Sequence, residues 1–468
     1  MFLYIDTLVQ QEKWEAAMPE IEDALIAFGL EEGLLKAALS VREKTVPLRI
    51  DKAAKQGALS LCMIVKNEEK HLAKCLRSVR GVVDEMIVVD TGSTDKTMDI
   101  ARVFGARVFE FPWTGDFSEA RNVSLSKAAG DWILIMDADE VISTLDIKEF
   151  KRLTRKDAPK TAAYSIMTRN YVEDSSMLGW TANIGEYPEE IGRGWIPSPK
   201  VRLLTRHDDI YFSYPVHETL EDSLFKANIP ISPCNIVVHH YGKLSIAEDL
   251  KKGEIYYHLG RMKLENDPNN FNHILELARQ AMTLGRHEEC IELALRLIEL
   301  AKTDPKARAY INLHQPLKIN TETEIYVLLS SAYLFLNQFE QALEAAKQAA
   351  AISPERKDIL QSYANCEVMS GSLDAAYRTL YDLLMKEPDY PQAQLLLAIV
   401  FCLKGENAMM ENLFRILIGR GFSITAAMNL MVERFQIQSR LEEARLILES
   451  MKKHKLDDAT TVELLAML

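Results

Sequence analysis

Two aspartates, at positions 137 and 139, are the residues of this sequence best suited to chemistry. Asp137 and Asp139 follow the apolar run 132–136, which predicts a buried strand that ends in a turn. Carboxylates held two residues apart on such a turn are hard oxygen ligands, and they leave coordination positions for phosphate oxygens. A divalent cation held there would neutralise a diphosphate and stabilise it as a leaving group. Asp-x-Asp pairs are common in loops, so the meaning of this one depends on its surroundings.

A series of strands and helices must position this turn. Apolar runs at 59–65, 86–89, 107–109 and 132–136 predict four strands, and the first helix between them is predicted to have Asn67 as its N-cap. Strands that alternate with helices indicate a parallel sheet with right-handed crossovers. Ligands of such sheets bind beyond the carboxyl ends of the strands. Polar residues cluster at those ends, at 66–68, 90–93 and 137–140.

Amphipathic helices replace this pattern from about residue 246 onward. Turn residues recur there at steps of 34 residues, at Asn337, Gly371, Gly405 and Ser439. A helix–turn–helix period of this length is the tetratricopeptide signature. An earlier partial unit surrounds Gly285, and residues 10–18 resemble a stray half-repeat. The predicted organisation is an N-terminal helical segment (1–56), an α/β domain (57–245) and an all-α repeat domain (246–468).

Composition and charge exclude several classes of protein. The net charge of -13 argues against a general nucleic-acid binder, which needs a basic face. The longest apolar run, 395–403, is about half of what a membrane helix requires. No basic region precedes the apolar residues at the N-terminus, so no secretory signal is predicted, and the six cysteines form no C-x-x-C pair. We therefore expect a cytoplasmic protein without a transmembrane segment.

The Asp-x-Asp turn belongs to a longer set of motifs. Residues 63–68, 88–95, 120–122 and 136–140 resemble family 2 glycosyltransferases of the GT-A fold in both order and spacing. The resemblance implies a Rossmann-like, mostly parallel sheet and the transfer of a sugar from a nucleotide-sugar donor. No G-x-G-x-x-G or P-loop motif offers a competing nucleotide chemistry.

The resemblance also assigns roles within a donor site. Asp90 would contact the uracil or the ribose of the donor, while Asn67 and Glu68 would line the base pocket. Asp137 would contact the ribose or the water shell of a Mn²⁺ or Mg²⁺ ion, and Asp139 would coordinate that ion directly.

The second half of the domain carries further motifs. They resemble a subgroup with protein- and peptide-modifying members and lipopolysaccharide-core members: Lys200–Leu203, Pro215–Glu218 and Val238–Gly242. By this resemblance His240 completes the metal site and His239 is the alternative, because adjacent strand residues point to opposite faces and both cannot serve equally. Lys200 and Arg202 meet the diphosphate or lie solvated on a strand. Arg121 faces the nucleotide or sugar, or is a structural ion-pair partner.

An inverting transferase needs a general base that is separate from the metal-bound carboxylates. Glu218 is the candidate, with His217 beside it to tune or position it. Asp116, Glu186 and Glu189 are its rivals.

Three aromatic side chains lie in the segment 171–199, which also contains glycines and prolines. Trp180, Tyr187 and Trp195 offer two interpretations. They stack on a sugar in a loop that closes over the donor, or they pack that loop onto the sheet.

The sequence therefore predicts an inverting transfer of one sugar from a UDP-linked donor to a protein or peptide acceptor. The repeats favour such an acceptor, because solenoids present concave surfaces to extended partners. A cell-surface saccharide or lipopolysaccharide-core acceptor is the alternative within this class. Two other hypotheses are a scaffold with an inactive transferase domain and a nucleotidyltransferase. The latter would need basic residues for a nucleotide triphosphate near the first loop, where Lys66 is the one basic residue. Homo-oligomerisation is compatible with each of these.

Overall fold

A computed structural model describes most of the chain. The described residues are 1–29, 31–45, 50, 57–172, 181–183, 185–215, 218–242, 246–305, 307–308, 311, 321–420, 422, 424–456 and 459–466. The chain divides into two compact units, one of residues 1–171, 185–191 and 197–244, and one of residues 172–184, 192–196 and 245–468. No helix in the described part of the chain is both long and apolar enough to cross a membrane.

The first half of the chain combines helices with one sheet. The helices are α1 (Phe2–Gln10), α2 (Trp14–Phe28), α3 (Glu32–Arg42), α4 (Leu72–Val79), α5 (Thr97–Val103), α6 (Phe117–Lys127), α7 (Ile147–Leu153) and α8 (Glu221–Lys226). The strands are β1 (Leu59–Val65), β2 (Glu85–Asp90), β3 (Arg107–Glu110), β4 (Trp132–Ile135), β5 (Glu140–Ile142), β6 (Ala163–Val172), β7 (Thr181–Ala182), β8 (Gly194–Thr205) and β9 (Ile231–His240).

The strand order in the sheet is β3-β2-β1-β4-β8-β6-β9-β5, with β7 paired to β8. Strand β1 runs parallel to both β2 and β4, and β2 runs parallel to β3. These are the four strands predicted from the apolar runs, and the predicted parallel arrangement is confirmed. Strand β8 is antiparallel to β4, and β5 is antiparallel to β9, which makes the sheet a mixed GT-A-like one.

The central strands are mostly apolar, as expected where both faces of a sheet are covered. Leu61 and Met63 point into a core shared with α4 and α5, whereas Cys62 points into a second core with Ile133 and Ile135. Successive side chains of a strand lie on opposite faces, so a strand buried on both faces shows no alternation of polar and apolar residues.

The three N-terminal helices, α1, α2 and α3, contribute buried residues to the first of these cores, the one that contains Leu61 and Met63. Ion pairs, of which those made by Glu22 are buried, add to this packing. The fully buried Glu22 accepts hydrogen bonds from Arg42 and Arg80, both at 2.6 Å. Arg77 donates to both carboxylate oxygens of Asp23. The segment predicted as a separate N-terminal unit thus packs as part of the sheet-containing one.

The helix after β1 begins at Leu72, so the prediction that Asn67 is its N-cap is wrong. Asn67 has a left-handed backbone with φ 55°. Its N–H donates to Ser93 Oγ at 2.9 Å, and its Oδ1 accepts from the Thr94 N–H at 2.8 Å. The side chain therefore joins the loops after β1 and β2, and is not available to the helix.

The second half of the chain is helical. Its helices are α9 (Ile246–Asn266), α10 (Phe271–Thr283), α11 (His287–Thr303), α12 (Thr321–Phe335), α13 (Phe339–Ile352), α14 (Lys357–Met369), α15 (Leu373–Lys386), α16 (Pro391–Leu403), α17 (Asn407–Gly419), α18 (Thr425–Ile437), α19 (Leu441–Lys453) and α20 (Ala459–Ala466).

The turns between paired helices confirm the 34-residue repeat. Asn337, Gly371, Gly405 and Ser439 all have left-handed backbones, with φ of 58°, 82°, 76° and 58°. This conformation suits glycine and is tolerated by asparagine, and it closes each helix with a short turn. The sequence also predicts an insertion near 303–323, between the partial unit around Gly285 and the later repeats, and this segment lies largely outside the described residues.

Candidate active site

The turn that carries Asp137 and Asp139 lies between β4 and β5, and a buried ion pair holds it. Glu140, the first residue of β5, accepts a hydrogen bond from the Asp137 N–H at 2.8 Å. The Arg202 guanidinium, from β8, donates to both carboxylate oxygens of Glu140 and also to the Ile135 carbonyl at 3.2 Å. The backbone of the turn is therefore attached to the sheet through Glu140.

This placement argues against the predicted contact between Arg202 and a diphosphate. The side chain of Arg202 is 3% exposed, and its remaining donor, Nε, lies 3.2 Å from Thr168 Oγ1. Lys200, two residues earlier on the same strand, is exposed, and no ion pair of it is seen in the described part of the chain. Its charge contributes to holding down the pKa of Asp137, so Lys200 stays a candidate for the diphosphate.

One guanidinium joins the Asp-x-Asp turn to the predicted base. Arg121, on α6, donates from Nη2 to Asp137 Oδ1 and from Nε to Glu218 Oε1, both at 2.6 Å. Burial alone disfavours the charge of Arg121, but the two carboxylates outweigh it and raise its pKa. Burial likewise favours protonation of Asp137, yet Arg121 and Lys200 outweigh it and hold the pKa of Asp137 well below its ordinary value. The third guanidinium nitrogen, Nη1, is buried and has no partner among the described residues.

Asp139 and His240 converge on the other side of the turn. Asp139 Oδ2 lies 3.2 Å from His240 Nε2, and His240 Nδ1 lies 2.7 Å from Asn170 Oδ1. Since an amide oxygen only accepts, Nδ1 donates to Asn170. Burial lowers the pKa of His240, but the hydrogen bond and the charge of Asp139 outweigh burial and raise it, so Nε2 donates to Asp139 in the charged ring and would give up that proton to a bound cation. Asn170 and His240 are register partners on β6 and β9. A Cβ on Gly242 would lie 2.3 Å from Asp139 Oδ2, so a residue without a side chain is required beside this pair.

His239 points the opposite way, as strand alternation requires. It is fully buried, its Nδ1 lies 2.6 Å from the Tyr171 hydroxyl, and it stacks on the ring of that tyrosine. Burial and the nearby charge of Arg169 lower the pKa of His239 to about 4. This position removes the alternative that His239 completes the metal site.

The side chains around Asp139 supply two of the ligands that a divalent ion needs. A carboxylate oxygen and an imidazole nitrogen with a fixed tautomer are suitable ligands for Mn²⁺. In the described part of the chain, no three His, Cys, Asp or Glu side chains assemble as a metal site. Asp137, the third predicted ligand, directs Oδ1 to Arg121 instead. Asp139 and His240 are thus the two residues that would hold the ion, with water and phosphate oxygens as its other ligands.

Asp90, at the end of β2, has the geometry of a ligand-binding carboxylate. Its Oδ1 accepts from the Gly92 and Ser93 N–H groups at 2.9 and 2.8 Å, and Gly92 has a φ of 105° that favours glycine. Its Oδ2 is buried and has no partner within the described ranges. Glu68, in the loop after β1, is joined to the segment that follows Asp90, because its N–H donates to Oγ1 of Thr97, the first residue of α5, at 2.7 Å. One carboxylate oxygen of Asp90 therefore holds the loop after β2, and the other is left to accept a hydrogen bond from a ligand.

Comparison with known sequences decides what kind of domain this is. Residues 60–214 match the model of the glycosyl transferase family 2, and residues 325–400 match that of the tetratricopeptide repeat. The chain carries a family 2 glycosyltransferase domain. The resemblance inferred from the motifs is thereby confirmed, together with the repeats behind it.

Similar proteins include a repeat-containing protein and several glycosyltransferases. A TPR repeat-containing protein of Synechococcus elongatus is 29% identical over 334 residues, which cover 64% of this chain and 77% of that protein. The SPbeta prophage-derived glycosyltransferase SunS of Bacillus subtilis is 28% identical over 262 residues, which cover 53% of this chain and 55% of that protein. An uncharacterized glycosyltransferase of Rickettsia prowazekii is 28% identical over 199 residues, covering 42% of this chain and 65% of its own.

Solved structures show weaker likeness. Staphylococcus aureus TarS 1–349 in complex with UDP-GlcNAc is 16% identical, with a TM-score of 0.31 over 62% of this chain and 90% of that chain. A tetratricopeptide protein of Thermus thermophilus is 19% identical, with a TM-score of 0.27 over 43% of this chain and 93% of that chain.

Two of the three rival bases in the glycosyltransferase domain, Asp116 and Glu186, have other partners for their carboxylates. Asp116 caps α6 by accepting from the Ser118 and Glu119 N–H groups. Glu186 pairs with Arg169. Glu189 has a buried Oε2 without a partner among the described residues, and its carbonyl accepts from the Tyr241 hydroxyl at 3.0 Å. His217 lies outside the described residues, so its predicted role stays a prediction.

Of the three aromatic residues predicted either to stack on a sugar or to pack the segment 171–199 onto the sheet, Tyr187 follows the packing interpretation. Tyr187 packs its ring under the Arg169 guanidinium and against His239, which is the packing alternative. Trp195 pairs with Thr181 between β8 and β7. Trp180 lies outside the described residues.

Asn170, Glu140 and Gly242 support the predicted site, and sequence reasoning did not assign them roles. Glu140 and Gly242 at least adjoin predicted site residues in the chain. Asn170 gives no such signal, because it lies 70 residues from His240 and meets it only through the pairing of β6 with β9.

Replacing Asn170 tests its contact with His240. We expect Asn170→Leu to weaken Mn²⁺ binding by about ten- to a hundredfold, because the ring loses the partner that fixes its tautomer. Calorimetric titration with Mn²⁺, together with the ¹⁵N shifts of the His240 ring, measures both effects. Asn122→Leu, which removes an amide that bonds to Phe212, is the control for general damage. Unchanged affinity and unchanged ring shifts in Asn170→Leu would contradict this role.

Proposed function

We propose that this chain transfers one sugar from a UDP-sugar, with inversion, to an acceptor on a protein or peptide. The observation that carries the proposal is the position of Arg121, which bonds to Asp137 on one side and to Glu218 on the other, each at 2.6 Å. This arrangement supports a donor-binding acid and a proton-accepting acid within one site.

The nucleotide is assigned to the ends of β1 and β2. The buried Oδ2 of Asp90, which has no partner in the described part of the chain, is suited to accept a hydrogen bond from the uracil N3–H or from a ribose hydroxyl. Asn67 and Glu68 border the same loop pair. Two cationic groups are available to the diphosphate and the sugar: the exposed Lys200, and Nη1 of Arg121, which has no partner within the described residues.

Asp139 and His240 are assigned to the divalent ion. When bound, Mn²⁺ or Mg²⁺ would neutralise the charge that develops on the leaving diphosphate. Asn170 orients His240 for this purpose, and Glu140 holds the backbone N–H of Asp137. Asp137 itself, with one oxygen on Arg121, is left to meet the ribose or water with the other.

Glu218 is assigned as the general base. Arg121 fixes the direction of its carboxylate through Oε1, while Oε2 makes no hydrogen bond within the described residues. As the acceptor hydroxyl attacks the anomeric carbon, its proton passes to Glu218 Oε2, and the bond from that carbon to the diphosphate oxygen breaks. One displacement on the face opposite the leaving group inverts the anomeric configuration. UDP departs with the electron pair.

Glu218→Gln tests the assignment of the base. We expect transfer to fall by about a hundred- to ten-thousandfold, because an amide does not accept the proton, while calorimetric UDP binding stays within about twofold. Glu119→Gln, an exposed acid on α6 that bonds to Thr114, is the matched control and should retain full transfer. An unchanged turnover number in Glu218→Gln would pass the role to Glu189, whose Gln variant is measured in parallel.

A further inference from the structure

The loop that carries Glu218 contains a tyrosine in a backbone conformation that tyrosine rarely adopts. Tyr214 has a φ of 75°. In this left-handed region a bulky residue is strained, whereas glycine is not. Such strain persists only where the surrounding structure imposes it. The contacts made by Tyr214 and its neighbours therefore show what holds the loop in this shape.

The side chain of Tyr214 is bonded to a helix that is fixed in the core. Its hydroxyl donates to Asp222 Oδ2 at 2.5 Å, and Asp222 lies in the first turn of α8. Leu224, on the same helix, is fully buried in the core that also contains Ile133. A hydrogen bond to a carboxylate is about twice as strong as one between neutral groups. This bond offsets the cost of the strained backbone.

Glu218 lies at the other end of the same loop, residues 213–219, of which 216 and 217 lie outside the described residues. The Ser213 N–H donates to the Thr219 carbonyl at 2.9 Å, and the Thr219 N–H donates to the Ser213 carbonyl at 3.1 Å. These two bonds close the loop. Tyr214 follows one of the paired residues and Glu218 precedes the other, so the direction of the chain at Tyr214 affects where Glu218 lies.

The loop is also attached to α6, the helix that carries Arg121. The N–H of Phe117, the first residue of α6, donates to the Pro215 carbonyl at 2.8 Å. Arg121 donates from Nε to Glu218 Oε1 at 2.6 Å. The loop therefore has two attachments to α6, through Pro215 and Glu218, and one to α8, through Tyr214.

We propose that the bond between Tyr214 and Asp222 positions Glu218 for proton transfer, which makes Tyr214 a positioning residue of the reaction. Without this bond the loop keeps its attachments to α6 but loses the one to α8, and the carboxylate of Glu218 is then less precisely placed. A misplacement of about 1 Å in a reacting group lowers a rate by about a hundredfold. The proposal rests on the proposed function in one respect, since it takes Glu218 as the general base.

The first test removes one hydroxyl. Tyr214→Phe keeps the ring, and we expect kcat to fall by about ten- to a hundredfold while KM for the sugar donor stays within about twofold. The matched control is Tyr211→Phe, since the exposed Tyr211 hydroxyl lies 3.5 Å from Lys226 Nζ, and it should retain full transfer. In a Glu218→Gln background Tyr214→Phe should cause no further loss, because the positioned group is already gone. The same fold-loss in both backgrounds would show general damage and overturn the proposal.

The second test changes the acceptor of the bond. Asp222→Leu should lower kcat as much as Tyr214→Phe does, and the double variant should be no slower than either single one. Asp222→Asn keeps an oxygen that accepts from the hydroxyl, so it should retain more of the transfer than Asp222→Leu. Losses that multiply in the double variant would mean that the two residues act separately, which contradicts the proposal.

The third test needs no transfer at all. In protein labelled with ¹⁵N-arginine, the Nε–H of Arg121 is assigned with Arg121→Lys, and its exchange with solvent reports on the bond to Glu218. We expect Tyr214→Phe to speed this exchange by about tenfold and Tyr211→Phe to leave it unchanged.

These measurements separate the positioning role from the proposed function. If the wild type transfers sugar and Tyr214→Phe transfers it equally fast, the positioning role is rejected and the proposed function is kept. If the wild type transfers no sugar, the proposed function is rejected and the exchange rate decides alone. Faster exchange in Tyr214→Phe then supports the control of Glu218 by Tyr214, and unchanged exchange overturns it.

Discussion

Asp139→Asn is expected to abolish the metal-dependent part of UDP binding and to lower sugar transfer by about a thousandfold, because the ion loses its one charged protein ligand. Asp139 is 13% exposed and lies 3.2 Å from His240 Nε2, and among the described residues no third His, Cys, Asp or Glu side chain completes a metal site with these two. Calorimetry with UDP and Mn²⁺, Mg²⁺ or a chelator measures the binding, and release of UDP from candidate sugar donors measures the transfer.

The control is Asp99→Asn, which breaks an exposed pair with Arg102 on α5 and should leave both quantities unchanged. Metal-dependent binding of equal strength in Asp139→Asn would contradict the metal assignment. If the wild type binds no nucleotide with any metal, the domain is an inactive scaffold, and the partners of the repeats become its function.

Arg202→Met is expected to destabilise the sheet-containing unit by about 3–5 kcal/mol, because it leaves the Glu140 carboxylate buried and unpaired. Both side chains are almost fully buried, with 3% and 1% of their surface exposed. Urea unfolding followed by tryptophan fluorescence measures the change, since Trp132 lies in the same sheet.

Arg152→Met is the matched control. It also breaks an Arg–Glu pair, with Glu149, but Arg152 is exposed, so solvent screens the pair and only a small change in the free energy of unfolding is expected. The double variant Arg202→Met with Glu140→Leu should recover most of the loss, since no charge is then left buried. Equal destabilisation by Arg202→Met and Arg152→Met would show that the buried pair contributes no more than a surface one.

The N-terminal helices show one limit of the sequence analysis. Their apolar spacing predicts helices, but it does not say what the helices pack against. Glu22 reveals the answer, because it is buried between Arg42 of its own segment and Arg80 of the sheet domain. The sequence carries no sign of that pairing, since a glutamate in an amphipathic helix is ordinarily expected on its exposed face.

Arg202 shows a second limit. An arginine two residues from a lysine, on a strand near the predicted diphosphate site, suggests a phosphate ligand. Its position on the strand does not tell whether its side chain is exposed or buried. Alternation along β8 sends Lys200 and Arg202 toward the same face, yet only Lys200 lies where the strand is exposed. Burial depth, which depends on what covers the strand, decides between a ligand and an ion-pair partner.

The sequence by itself determined the parallel strands, the Asp-x-Asp turn and the 34-residue repeat, because each is a local pattern of side chains along a few dozen residues. The tertiary structure decided which of these residues meet. Arg121 and Glu218 are 97 positions apart, and Asp139 and His240 are 101 apart. Such pairs form only through the order in which β4, β8, β6, β9 and β5 lie side by side, and no local pattern encodes that order.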